Sequence, residues 1–157
     1  MEKVEHHVRI GQLLIVEDGT VLKTVLGSCV GIALLWKKRG KCALAHCLLP
    51  LADSFKADAD ARYVDQTIPR MIERLGATSA DFPDLEAVVA GGGKMISVEK
   101  AYSKYVVGDE NLRVARQMLE SRGIRIVAFV PGGEQGTKLR VDASSGEYHI
   151  ESIPRAA

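Results

Sequence analysis

The stretch from Val30 to Leu49 constrains this chain more than any other. Val30 to Trp36 carries no polar side chain, Lys37-Lys38-Arg39-Gly40 follows, and Cys42 to Leu49 is apolar again apart from His46. A run of this length with no polar face is far too short to span a bilayer and suits a buried strand. The basic turn ends in glycine, which takes a positive φ without strain. Pro50, which has no N–H to donate, closes the second run. The two runs and the turn therefore read as a β-hairpin that the rest of the chain must cover.

The flanking sequence reads as further strands and helices. Ile10 to Val16 reads as a strand closed by the acidic turn Glu17-Asp18-Gly19, and Thr20 to Leu26 alternates as a half-buried strand does. Residues 51–61 are small and polar and read as a loop. Tyr63, Val64, Ile68, Met71, Ile72 and Leu75 recur at helical spacing, with Gly76 as the stop. Pro69 lies inside that pattern and predicts a kink or the first turn of a second helix. Leu85 to Ala90 reads as a strand running into Gly91-Gly92-Gly93. Asp109 to Arg122 predicts a helix capped by Asp109 and stopped by Gly123. Ile124 to Val130 is a buried strand, and Leu139 to Asp142 and Tyr148 to Ser152 flank a hairpin turn ending in Gly146-Glu147. The total is roughly eight strands and two or three helices in one α/β domain. Hairpins at both ends argue against a doubly wound parallel sheet.

Composition narrows the function classes. At 157 residues the chain is expected to be a single domain, with a core over about 10–152. Lysine and arginine (21) balance aspartate and glutamate (20), so there is no basic field to favour nucleic acid or an anionic membrane. Met1 to His7 is polar, with no apolar signal core, and His6 and His7 read as solvated terminal residues. A cytoplasmic protein with no membrane insertion is expected. The three cysteines, Cys29, Cys42 and Cys47, are an odd count and are expected to stay reduced.

Cys29 sits in the small-residue turn Gly27-Ser28-Cys29 between two apolar runs, and His46 lies on the next run. Taken singly, each has a bland reading: a free cysteine is a small buried residue, and a histidine on an apolar strand is a hydrogen-bonded structural one. Together they supply a nucleophile and a base that draws off the thiol proton to form an ion pair. If Cys29 begins the strand, its backbone N–H is free to hold an oxyanion. Whether the two meet depends on hairpin register, which sequence leaves open. Thr24, just before the turn, is a candidate to orient the imidazole, although a β-branched residue is ordinary in a strand.

Other chemistries fit less well. No cofactor is expected. Zinc on Cys29, Cys42, His46 and Cys47 would need distortion, because Cys42 and His46 share one strand face and Cys47 takes the other. Gly91-Gly92-Gly93-Lys94 is not a phosphate-binding P-loop, and Gly27-Ser28-Cys29 lacks the spacing of a nucleophile elbow. The triple glycine reads as tight backbone packing beside the Cys29 turn.

From Gly11 to about Ser152 the chain resembles the CheD family of chemoreceptor glutamine deamidases. The resemblance rests on Leu26-Gly27-Ser28-Cys29-Val30-Gly31 with Ala45-His46 and Leu49-Pro50 downstream. Ala90-Gly91-Gly92 followed by Met95, Gly108 with Asn111, Gly132-Gly133 and Gly146 support it. The resemblance implies a three-layer α/β sandwich with mixed, largely antiparallel sheets, like that of the deamidating bacterial toxins. It implies a cysteine hydrolase that converts receptor glutamine side chains to glutamate, with Cys29 as nucleophile, His46 as general base and acid, and Thr24 orienting His46. Gly27, Ser28, Gly91 and Gly92 would line an open groove for the substrate. It implies two partners, methyl-accepting chemotaxis receptors and a CheC-type phosphatase. The alternative is a non-catalytic adaptor that keeps this fold to bind CheC or receptors.

Overall fold

The computed structural model describes residues 3–93 and 101–154. In chain order the strands are β1 (Val4–His7), β2 (Leu13–Val16), β3 (Thr20–Leu26), β4 (Val30–Trp36) and β5 (Lys41–Cys47), followed by helix α1 (Val64–Leu75). Then come β6 (Glu86–Gly91), helix α2 (Ala101–Ser121), β7 (Arg125–Pro131), β8 (Gly136–Asp142) and β9 (Tyr148–Ile153). Short 3₁₀ turns occupy Lys37–Arg39 and Ser79–Asp84.

The expected hairpin is the centre of a five-stranded sheet in the order β2-β5-β4-β6-β7. Strand β4 pairs with β5 on one side and β6 on the other, both antiparallel. A four-stranded sheet, β1-β3-β8-β9, packs on one face of it, and α1 and α2 cover the other. The layers are therefore helices, five-stranded sheet and four-stranded sheet. The pairings are antiparallel except β1 with β3 and β6 with β7.

The side-chain alternation of β4 and β5 explains why both needed to be apolar. Val30, Ile32, Leu34 and Trp36, with Ala43, Ala45 and Cys47, face the helices. Ala33 and Leu35, with Cys42 and Leu44, face the second sheet. A strand covered on both sides loses the polar alternation that marks a half-exposed one. The register also splits Cys47 from Cys42, the separation that spacing predicts.

Several expectations are corrected. The strand expected from Ile10 begins at Leu13, since Gly11 and Gln12 form a turn that hydrogen-bonds to His46. His6 and His7 are exposed but belong to β1, a strand too polar to show periodicity. Pro69 lies within one continuous helix, whose buried stripe of Val64, Ile68, Met71, Ile72 and Leu75 outweighs one missing hydrogen bond. The second helix starts at Ala101, so Asp109 lies inside it and caps nothing. Gly108 lies inside the same helix and serves a close approach: a Cβ there would lie 2.7 Å from the Gly92 carbonyl oxygen. Lys94 and Met95 lie outside the described residues.

Candidate active site

Register decides whether Cys29 and His46 meet. Gly31 pairs with His46 and Val30 with Cys47, so Cys29 falls opposite Leu48, one step past the last pair. Side chains alternate along both strands, which puts Cys29 and His46 on the same face as diagonal neighbours. Gly31, directly opposite His46, contributes no side chain to the interval between them. Both are buried, at 7% and 3% exposure, on the face toward the second sheet.

Thr24 reaches His46 from that second sheet. Its hydroxyl oxygen is 2.7 Å from His46 Nδ1 and 2.7 Å from the Val8 carbonyl oxygen, which it donates to. A hydroxyl has one hydrogen and a carbonyl can only accept. With that hydrogen given to Val8, Nδ1 must carry the proton and donate to Thr24. The neutral ring then presents Nε2 as a bare lone pair, the form a general base requires. The backbone of His46 is pinned as well: its carbonyl accepts from Gly11 N–H at 2.8 Å, and its N–H donates to the Gln12 carbonyl at 3.1 Å.

Charge at the pair follows from burial. Burial pushes the Cys29 thiol above its ordinary range. Burial likewise holds His46 below the usual imidazole value, against the Val8 carbonyl, which favours the charged ring; nearby His7 lowers it a little more. Both shifts favour a neutral thiol beside a neutral imidazole, not the resting ion pair expected from sequence. Among the described residues no hydrogen bond joins the Cys29 thiol to His46. Catalytic hydrogen bonds of this kind commonly tighten only when substrate is bound.

The turn carrying Cys29 is held from behind. Gly93 N–H donates to the Gly27 carbonyl at 2.8 Å and Gly92 N–H to the Cys29 carbonyl at 2.9 Å. The Asn111 amide donates to the Ser28 carbonyl at 3.3 Å and to the Leu48 carbonyl at 3.1 Å. Three consecutive carbonyls thus point into the protein. In a trans peptide the N–H points opposite its carbonyl, so the N–H groups of Ser28 and Cys29 face away from these anchors. Neither has a backbone acceptor among the described residues.

The glycines permit this backing. Gly91 has φ +105°, and a Cβ there would lie 2.5 Å from the Cys29 carbonyl oxygen. Gly91, Gly92 and Gly93 are buried behind the turn, whereas Gly27 and Ser28 are partly exposed at its front. The triple glycine is the backbone packing that its position suggested. Asn111 was given no role from sequence. Its spacing from Ala115 and Met118 places it on the buried stripe of α2, and a polar residue on such a stripe was the available signal.

The chain is similar to proteins of one family along its length. A family model described as CheD chemotactic sensory transduction matches residues 48–152. A probable chemoreceptor glutamine deamidase CheD of Bdellovibrio bacteriovorus is 65% identical, with 100% of both chains covered. The probable chemoreceptor glutamine deamidase CheD 2 of a Ruegeria species is 34% identical over 99% of this chain and 97% of its own. A probable chemoreceptor glutamine deamidase CheD of Natronomonas pharaonis is 33% identical over 91% of this chain and 85% of its own. By the family match and by full-length similarity to these relatives, the chain belongs to the CheD family.

Proposed function

We propose that this protein is a chemoreceptor glutamine deamidase, a hydrolase that converts receptor glutamine side chains to glutamate through a thioester on Cys29. The observation that carries the reading is the Thr24–His46 hydrogen bond, which leaves Nε2 proton-free on the face that His46 shares with Cys29. Relatives named as probable chemoreceptor glutamine deamidases support the deamidation that this reading assigns.

The steps follow from that arrangement. The Cys29 thiol gives its proton to His46 Nε2 as sulfur bonds to the glutamine amide carbon. The amide oxygen takes the negative charge, and the N–H groups of Ser28 and Cys29 hold it. Collapse breaks the C–N bond while imidazolium passes its proton to the departing nitrogen, which leaves as ammonia. Water then gives a proton to His46 and attacks the thioester. The C–S bond breaks, the thiol regains its proton, and the side chain leaves as glutamate. Thr24 keeps Nδ1 protonated throughout, so the ring cycles on one nitrogen.

Gly27 and Ser28 border the approach to Cys29 and contact the carboxamide through backbone atoms. Gly91 and Gly92, buried behind the turn, serve the substrate by shaping it. A receptor is thus the protein substrate, reached in the cytoplasm, with a CheC-type phosphatase as a second partner. Among the described residues no helix is long and apolar enough to cross a membrane.

The test is release of ammonia from a receptor fragment, read with the mass gain of about 1 Da that replaces carboxamide by carboxyl. Cys29→Ala should abolish both while melting cooperatively. Undiminished activity in that variant would rule out the assignment and favour the adaptor.

A further inference from the structure

We infer that Asn111 is a positioning residue for oxyanion stabilisation: its side-chain amide sets the plane of the Ser28–Cys29 peptide and so aims the Cys29 N–H at the reacting carbonyl. The inference deepens the deamidase reading and rests on it.

Asn111 lies on α2, 83 residues from Ser28 in sequence, and is fully buried. Its Nδ2 group bridges two carbonyls that belong to different segments. One is Ser28, in the turn bearing the nucleophile, and the other is Leu48, just beyond the strand bearing His46. Strand pairing stops at Val30 with Cys47. The amide therefore ties the nucleophile turn to the histidine strand at the point where the sheet no longer does so. Its orientation is fixed, because turning it over would set Oδ1 against two carbonyl oxygens.

The Ser28 carbonyl and the Cys29 N–H belong to one planar peptide and point in opposite directions. Holding the carbonyl back toward α2 fixes the N–H outward. The neighbouring peptides are held in the same sense by Gly93 and Gly92 backbone N–H groups, which a side-chain change does not remove. The middle peptide, whose N–H belongs to the nucleophile itself, depends on a side chain.

Asn111 Oδ1 is buried with no hydrogen-bond partner among the described residues, so the hydrogen bonds of this amide are the two that its Nδ2 donates.

The experiment separates oxyanion support from thiol activation. Alkylation of Cys29 by iodoacetamide needs the thiol and His46 but forms no oxyanion, whereas deamidation needs all three. Asn111→Ala should lower kcat on a receptor fragment about 100-fold, within the range seen on loss of an oxyanion donor. KM and the alkylation rate should stay within about threefold. In Asn111→Asp a carboxylate faces two carbonyls at neutral pH. Its protonated form can donate to one of them, so kcat relative to the wild type should rise as pH falls toward 5. Unchanged kcat in Asn111→Ala, or parallel loss of kcat and alkylation, would overturn the inference with the deamidase reading intact. A wild-type protein that leaves receptor glutamines unchanged would overturn that reading, and the inference with it.

Discussion

The Thr24 hydroxyl has one hydrogen, and the Val8 carbonyl takes it. That single fact sets the tautomer of His46, so the hydroxyl matters more than the shape of the side chain. Thr24→Val keeps the shape and removes the hydroxyl that joins Nδ1 to the Val8 carbonyl in a buried place. We expect kcat to fall at least 10-fold and stability to drop by about 1–3 kcal/mol, whereas Thr24→Ser should keep most of both. Steady-state kinetics and urea unfolding of the two variants side by side check this. The depressed pKa of His46 carries its own prediction. A base whose pKa is lowered stays neutral to lower pH, so the acid limb of kcat/KM should have its midpoint below the ordinary histidine value of about 6.5. A midpoint at or above that value would mean that His46 is not the essential base.

At the scale of elements, the Cys29 turn depends on how closely three backbones approach. Gly91, at the end of β6, packs on the Cys29 carbonyl, and Gly108, inside α2, packs on the Gly92 carbonyl. Gly108→Ala suits a helix interior by propensity, yet its Cβ would meet the Gly92 oxygen at 2.7 Å. The expected result is a net loss of about 1–3 kcal/mol, the usual cost of overpacking, with slower deamidation because Gly92 and Gly93 no longer hold the turn. Urea unfolding and turnover measured together check it; a more stable, fully active variant would refute the close-approach reading of this glycine. The same contact explains why the start of α2 was hard to read. A glycine eight residues into a helix resembles a boundary, and only the Gly92 backbone beside it accounts for its presence. Strand β1 was missed for a different reason. It is exposed at every position and owes its existence to pairing with β3, so it has no periodicity of its own. The central hairpin and the C-terminal one were legible because turn residues and apolar runs act locally.

The molecule as a whole is built around a sheet covered on both faces, and this governs its response to pH. Burial pushes both Cys42 and Cys47 up to about 12, with Asp142 adding to the rise at Cys42. In the unfolded chain a thiol ionises near 8.5. Above that pH the unfolded state loses protons that the native state keeps, so stability falls as pH rises from about 8.5 toward 12. With two such groups the slope can approach about 2.7 kcal/mol per pH unit. His46 acts at the other end. The unfolded chain takes up its proton below about 6.5, before the native protein does, and stability falls there too. Maximum stability is expected between these limits. Cys47→Ala should flatten the alkaline limb of the urea midpoint measured against pH; an unchanged limb would show that the buried thiols do not set it.

By itself the sequence determined the buried central hairpin of this protein and the candidate residue types at its edge. Two adjacent strands with no polar face require cover on both sides, and a cysteine in a small-residue turn near a strand histidine offers a nucleophile and a base. These features are local, carried by alternation, turn residues and side-chain type within about 25 residues. Tertiary structure decided everything that depends on register and on contacts distant in sequence. The pairing of Gly31 with His46 put Cys29 and His46 on one face, where a shift of one residue would have sent them to opposite faces. The hydroxyl that sets the imidazole tautomer comes from the other sheet, and the amide beneath Ser28 comes from a helix far along the chain. No local pattern encodes such contacts, because they exist only after two sheets and a helix have packed against one turn.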